Sequence, residues 1–177
     1  RAVKYGTTRD YVRAIDVVLP TGEEVSLGSL NIKDSSGYDL KDLFIGSEGT
    51  LGIITKVQLK VLPQPQVIQS ILIAFDDVFA AANGVIKILN NGINPTALEL
   101  FEKETIRYSE QMLNEPLQTQ KGDAYILMTL DDDSTDSLNH RVKKVAELLK
   151  EKAIEVLPLN LEEEKIAWKL RDNIIIA

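Results

Sequence analysis

The stretch that constrains this chain most runs from Gly46 to Leu62, GSEGTLGIITKVQLKVL, where glycines at every third position lead straight into an alternating segment. Gly46, Gly49 and Gly52 permit backbone angles closed to other residues and let a ligand come close to the main chain. Successive N–H groups in such a loop can form a concavity suited to anions or ring acceptor atoms. Beyond it, Ile53, Thr55, Val57, Leu59 and Val61 share one face, and Ile54, Lys56, Gln58 and Lys60 share the other. That alternation predicts a strand. Pro63 and Pro65 end it, because proline has no N–H to give a ladder. No Gly-Lys-Ser/Thr follows the glycines, so this is not a Walker loop. A strand follows where a helix should begin, so it is not a Rossmann fingerprint either. On spacing alone, a tight turn into a strand and a ligand cradle both account for the pattern.

Composition narrows the chemistry. Among 177 residues there is no cysteine, which removes disulfides, thiolate nucleophiles, iron–sulfur ligation and sulfur-based zinc sites. A single histidine rules out a multi-histidine metal centre built from this chain, and no metal site is expected. The net charge of −7, without a basic cluster, argues against a nucleic-acid or anionic-membrane partner. Apolar content of 44% is that of a globular protein with a real core. No apolar run approaches the roughly 20 residues of a transmembrane segment, and no signal peptide is visible. A cytoplasmic setting is the expectation. Both ends read as cut, at Arg1 and within Ile174–Ala177, as in a piece of a longer protein.

Before the glycines, Ile15, Val17 and Leu19 alternate into a Pro20-Thr21-Gly22 turn, and Glu24 to Leu27 resumes as a strand, which predicts a hairpin. Gly28 to Gly37 is polar and loop-like. Tyr38 to Phe44 reads as a turn or two of helix with Leu40, Leu43 and Phe44 inward.

Past Pro65 the periodicity changes. Val67 to Phe75 reads as a strand. Asp76 or Asp77 caps a helix with a stripe of Phe79, Ala82, Ile86 and Leu89, closed by Asn91-Gly92. A strand near Thr96 to Phe101 and a helix from Lys103 to Leu113 follow. Tyr125 to Leu130 is strand-like, and Asp133 or Ser134 opens a helix with Leu138, Val142, Val145 and Leu149 inward. Ala153 to Leu157 is a short strand, and Asn160 caps a last helix. Duplicated βαβ units of this kind predict a ferredoxin-like antiparallel sheet with helices on one face.

Four segments in order carry a resemblance: Lys4 to Val12 (KYGTTRDYV), Val17 to Gly22, Gly37-Tyr38-Asp39-Leu40, and Gly46 to Thr55. Together they resemble the FAD-linked oxidases of the vanillyl-alcohol-oxidase type, in the branch with the glycolate oxidase flavoprotein subunit and the D-lactate and D-2-hydroxyglutarate dehydrogenases. The resemblance implies an α+β protein: residues 1–65 as the C-terminal part of a PCMH-type FAD-binding domain, and 66–177 as a truncated ferredoxin-like cap domain on the substrate side. It implies FAD as cofactor, lined chiefly through backbone by Gly46, Ser47, Glu48, Gly49, Thr50, Leu51, Gly52, Ile53 and Ile54. Lys33-Asp34-Ser35-Ser36 departs from the Lys-Asn the family usually places ahead of Gly-Tyr-Asp-Leu.

The activity implied is oxidation of a D-2-hydroxy acid, of glycolate or D-lactate type, to the 2-oxo acid by hydride transfer to flavin. Partners are then the small hydroxy acid and an electron acceptor that the sequence does not name, with a homo-oligomer left open. Two alternatives stand beside it: an alkylglycerone-phosphate-synthase-like flavoenzyme, and a non-catalytic ferredoxin-like ligand-binding module. The 177-residue chain by itself is expected to bind FAD poorly and turn nothing over.

Among single residues, Arg171 in Ala167-Trp168-Lys169-Leu170-Arg171 resembles the family's Trp-x-x-Arg segment, whose arginine holds the substrate carboxylate. A planar guanidinium suits that task, because two parallel hydrogen bonds can grip one carboxylate. Ile175 stands where 2-hydroxyglutarate-type enzymes usually carry a hydroxyl residue. Trp168 reads as packing. His140 is expected to face water, Asp131-Asp132-Asp133 to form a helix-capping turn, and Glu162-Glu163-Glu164 to be a solvated helix start. No catalytic residue is expected within the chain.

Overall fold

The computed structural model describes residues 2–174, and its backbone contacts fall into two compact units. One spans Gly6–Gln64. The other begins at Pro65 and takes in the short N-terminal helix α1 (Ala2–Tyr5). Among the described residues, no helix is long and apolar enough to cross a membrane.

The Gly6–Gln64 unit is a three-stranded antiparallel sheet in the order β2-β1-β3. Strands β1 (Val12–Val18) and β2 (Glu24–Gly28) form the expected hairpin, with Val17 opposite Val25. Its turn is closed by Gly22 N–H donating to Leu19 C=O at 2.8 Å, with Gly22 at φ 85°. Strand β3 (Ile53–Leu59) pairs along the other edge of β1. The small core is Val12, Ile15 and Val17, with Leu19, Val25, Leu27, Phe44 and Ile45 packed against it.

The strand predicted from the alternation is present, and one expectation fails. β3 buries neither face: Ile53, Val57 and Leu59 are exposed although their alternation is regular. Among the described residues nothing packs over this edge strand, so it keeps the period without burying either face. The turn of helix α2 (Lys41–Phe44) sends only Phe44 inward, leaving Leu40 and Leu43 in water, because a four-residue helix can aim only part of its circumference at a small core.

The second unit is built on a four-stranded antiparallel sheet, β5-β6-β4-β7. Its strands are β4 (Val67–Phe75), β5 (Ala97–Glu102), β6 (Ala124–Asp132) and β7 (Glu155–Pro158). Two strands that neighbour each other in sequence, β4 and β5, are separated by β6, the crossover order of a ferredoxin-like sheet. Helices α3 (Val78–Asn90) and α5 (Thr135–Leu149) pack Ala81, Ile88, Leu138, Val145 and Leu149 onto Ile71, Ile73, Phe75, Ile126 and Met128. Those crossover helices share one face, but the expectation that the helices lie on one face alone does not hold. The opposite face, Leu72, Ala74, Tyr125 and Leu127, is also covered: α4 (Lys103–Leu113) supplies Ile106, and α6 (Leu161–Asn173) supplies Ala167 and Leu170. β4 and β6 are therefore buried on both sides, which explains their near-continuous apolar runs.

The core stripe of α3 also differs from the expected one. Phe79, Ala82, Ile86 and Leu89 are exposed, and Ala81, Gly84 and Ile88 face the sheet. The helix is apolar nearly all round, so its period offers two stripes. Gly84 decides between them, because a Cβ there would lie 2.8 Å from Phe75 Cζ. The cap is Asp77, whose carboxylate accepts from Ala80 N–H at 2.7 Å.

Candidate functional site

The segment Gly46 to Ile54 leaves α2 and enters β3, and it lies largely on the surface. Its backbone bends sharply, with φ of 89° at Gly46, 52° at Glu48 and 77° at Gly49. For Glu48 this left-handed angle costs about 1–2 kcal/mol, and such strain persists where the surroundings impose it, commonly at ligand-binding segments. Ser47 N–H donates to Phe44 C=O at 3.1 Å and Thr50 N–H to Ser47 C=O at 3.0 Å. Among the described residues, the amides of Gly46, Glu48, Gly49 and Leu51 donate to no backbone or side-chain acceptor. A run of main-chain donors with open neighbours is the feature an oxygen- and nitrogen-rich cofactor needs from a backbone.

The third glycine has a different task. Gly52 is buried, and a Cβ there would meet Val17 Cγ1 at 2.7 Å and Val18 O at 2.9 Å. It lets the segment come down onto β1, whereas a Cβ at Gly49 would meet open space. Ile53 and Ile54 already belong to the β1–β3 ladder and present exposed side chains.

Arg9 is a residue the sequence pattern did not single out. Its guanidinium donates to Asp42 C=O at 2.9 Å and also to Ile45 C=O, capping the C-terminal end of α2 where the glycine segment starts. The same unit holds a wider polar groove of about 480 Å³, lined by residues including Arg13, Asp34, Tyr38 and Lys60, and no residue of 46–54 lines it.

In the other unit, Arg171 sits on the last turn of α6 beside a groove of about 440 Å³, with Leu100, Phe101, Glu102 and Thr105 around it. Arg171 Nη2 donates to Glu99 Oε2 at 2.7 Å and Nε to the same oxygen at 3.1 Å; Nη1 donates to Asp172 Oδ1 at 3.1 Å. The hydrogen bond to Glu99 holds Arg171 more firmly protonated than an ordinary arginine. A guanidinium has five N–H groups, and three are committed here. Among the described residues, one N–H on each terminal nitrogen has no acceptor. Glu99 is a second residue that sequence reasoning missed; its signal, a carboxylate in the middle of an apolar strand, was present.

The remaining candidates resolve plainly. His140 is exposed on α5. Asp131 does not cap a helix: it is buried at the end of β6 and accepts from Lys4 Nζ and Tyr5 Oη of α1. Burial opposes its charge, but these hydrogen bonds outweigh that and hold the carboxyl below its ordinary range. Ser134 caps α5 instead. Of the three glutamates, Glu162 is solvated and Glu163 completes a capping box with Asn160. Glu164 turns inward, accepting from Ser70 Oγ at 2.8 Å. Trp168 packs as expected and donates to Ser70 Oγ at 3.3 Å. Ile175 lies outside the described residues. Among these, no cluster of His, Asp and Glu could hold a metal ion.

Residues 64–176 match the profile of the FAD linked oxidases, C-terminal domain. The chain belongs to the FAD-linked oxidase family. The D-lactate dehydrogenase of Anaerostipes hadrus is 41% identical to this FAD-linked oxidase chain over all of it and over 39% of its own length. Glycolate oxidase subunit GlcD of Bacillus subtilis is 34% identical over 94% of the chain and 35% of its own length. The chain thus spans little more than a third of these relatives. Among solved structures, 4-ethylphenol oxidase from Gulosibacter chungangensis superposes with a TM-score of 0.70 at 15% identity, over 97% of this chain and 39% of that one. Alkyldihydroxyacetonephosphate synthase superposes with a TM-score of 0.70 at 19% identity, over 98% of this chain and 35% of its own. At those identities the likeness is one of fold, and the fold is that of FAD-binding oxidases of PCMH type.

Proposed function

We propose that this FAD-linked oxidase chain is part of an enzyme that oxidises a short D-2-hydroxy acid, of D-lactate or glycolate type, to the 2-oxo acid. The observation that carries the reading is the 41% identity with a D-lactate dehydrogenase along the whole chain. The geometry is consistent with it on both units. Gly46, Glu48, Gly49 and Leu51 would hold FAD through their amides, and Arg171 would donate to the substrate carboxylate from the terminal N–H groups that have no acceptor among the described residues.

Bound FAD supplies the two-electron acceptor for the hydride that leaves the α-carbon. The chain's own contribution is orientation. A carboxylate gripped at two points loses its rotation about the guanidinium plane, which fixes the α-carbon relative to the clamp. No residue is assigned to the hydroxyl proton. Glu99 and Asp172 together carry one more negative charge than Arg171 neutralises, so the clamp would work through directed hydrogen bonds and not through net attraction.

The reading is tested by turnover. The flavin-loaded enzyme of which this chain is a part is assayed at full length with D-lactate, L-lactate and glycolate and an artificial electron acceptor. The reading expects reduction with D-lactate or glycolate and little with L-lactate; a preference for L-lactate, or no turnover of any of the three, overturns it.

A further inference from the structure

The same helix face that carries Arg171 carries two other contacts to one face of the sheet. Glu164, Trp168 and Arg171 follow the i, i+4, i+7 spacing, so they form one stripe along α6. Opposite them, Ser70 on β4 faces Thr129 on β6, and Leu127 on β6 faces Glu99 on β5, so Ser70, Thr129, Leu127 and Glu99 share one pleat face. Ser70 is fully buried and its hydroxyl contacts Glu164 Oε1, Thr129 Oγ1 at 2.8 Å and Trp168 Nε1. Two of the three stripe residues are therefore pinned at one point of β4. Glu99 pins the third, and it holds the guanidinium itself.

We propose that Glu99 is a positioning residue for the substrate clamp. It takes the Nε and Nη2 edge of Arg171 through a single oxygen and fixes the plane of the guanidinium, leaving one N–H on each terminal nitrogen for the incoming carboxylate. This rests on the reading of Arg171 given under Proposed function. An arginine on a terminal helical turn has several rotamers open to it, and holding one costs entropy at each binding event. A partner on a strand of the sheet removes that cost in advance. Glu99 is suited to this because its strand is hydrogen-bonded along β6 and its backbone does not travel with the helix end.

The test compares Glu99→Ala, Glu99→Gln and Arg171→Met in the flavin-loaded enzyme with D-lactate as substrate. Glu99→Ala is expected to raise KM about tenfold while kcat changes less than about threefold, since the lost interaction orients the bound acid. Glu99→Gln keeps an acceptor oxygen in place but loses the charge, and is expected to return only part of the lost affinity, leaving it about twofold to fivefold weaker. A merely structural role would lower flavin content and melting temperature and leave KM alone. The binding of pyruvate, followed by its perturbation of the flavin absorption, gives a second readout that does not depend on turnover. Should Glu99→Ala fail to fold, the Glu99→Gln variant decides: a twofold to fivefold weaker pyruvate affinity supports the proposal, and an unchanged one overturns it. If Arg171→Met raises KM and neither Glu99 variant moves it beyond twofold, the positioning role alone is wrong. If Arg171→Met also leaves KM unchanged, the clamp reading falls and takes this proposal with it.

Discussion

Arg171 on α6 and Glu99 on β5 are joined by two N–H donors to one carboxylate oxygen, at 2.7 and 3.1 Å. Both side chains are about a third exposed, at 31% and 30%. An ion pair in that position adds little to stability, on the order of 0–1 kcal/mol. Its geometry is better suited to orientation than to holding the fold, and the predictions begin from that contrast.

Arg171→Met should leave the protein folded and flavin-loaded but raise KM for the hydroxy acid about tenfold to a hundredfold. Hydrogen bonds to a charged group contribute about 1.5–3 kcal/mol, and each 1.4 kcal/mol is about a factor of ten. Steady-state kinetics beside a thermal melt check this. A melting point that falls while KM stays put would assign Arg171 to structure.

Gly49→Ala and Gly52→Ala should part company. At position 49 the new Cβ meets open space and the cost is the left-handed backbone, about 1–2 kcal/mol. Its main effect is expected on flavin retention, because the methyl group stands on the exposed side of the segment. At position 52 the Cβ presses on Val17 and Val18 O, an overpacking worth about 1–3 kcal/mol. Flavin content after gel filtration and chemical denaturation midpoints separate the two.

Asp131→Asn should destabilise the protein by about 1–3 kcal/mol near neutral pH, because Lys4 and Tyr5 lose a charged acceptor that is 1% exposed. The pH dependence has a definite sign. The folded pKa of Asp131 is lowered, so its contribution is complete above the ordinary carboxylate value of about 4 and is lost as pH falls through the lower folded value. Denaturant melts in mildly acid and strongly acid buffer should show wild type and Asp131→Asn converging at the acid end.

Ser70→Ala should cost about 1–3 kcal/mol, since Thr129, Glu164 and Trp168 all lose the same buried partner. The loss should appear in urea denaturation, with amide exchange of α6 accelerated more than that of α3. Equal acceleration in both helices would mean that Ser70 does not pin α6.

Much of this fold was legible because its signals are local. The hairpin at Pro20-Thr21-Gly22, the cap at Asp77 and the helix Lys103–Leu113 each depend on residues adjacent in sequence. What was not legible depends on distant partners. Gly84 against Phe75 chooses the inner face of α3, and no period within an apolar helix reveals that choice. Asp131 read as a capping residue because its partners, Lys4 and Tyr5, lie more than a hundred residues away. The candidate site divides in the same way. The glycine segment and Arg171 were visible as patterns, whereas Arg9 and Glu99 matter through the groups they hold.

The most direct test of the account is anaerobic mixing of the flavin-loaded enzyme with D-lactate while the blue flavin band is recorded. The account predicts that the band bleaches as the acid is oxidised, with pyruvate formed in a one-to-one ratio to flavin, and that Arg171→Met needs at least about tenfold more D-lactate for half-bleaching. A flavin that keeps its colour at saturating D-lactate and glycolate, or an Arg171→Met variant that bleaches at the wild-type concentration, would contradict it.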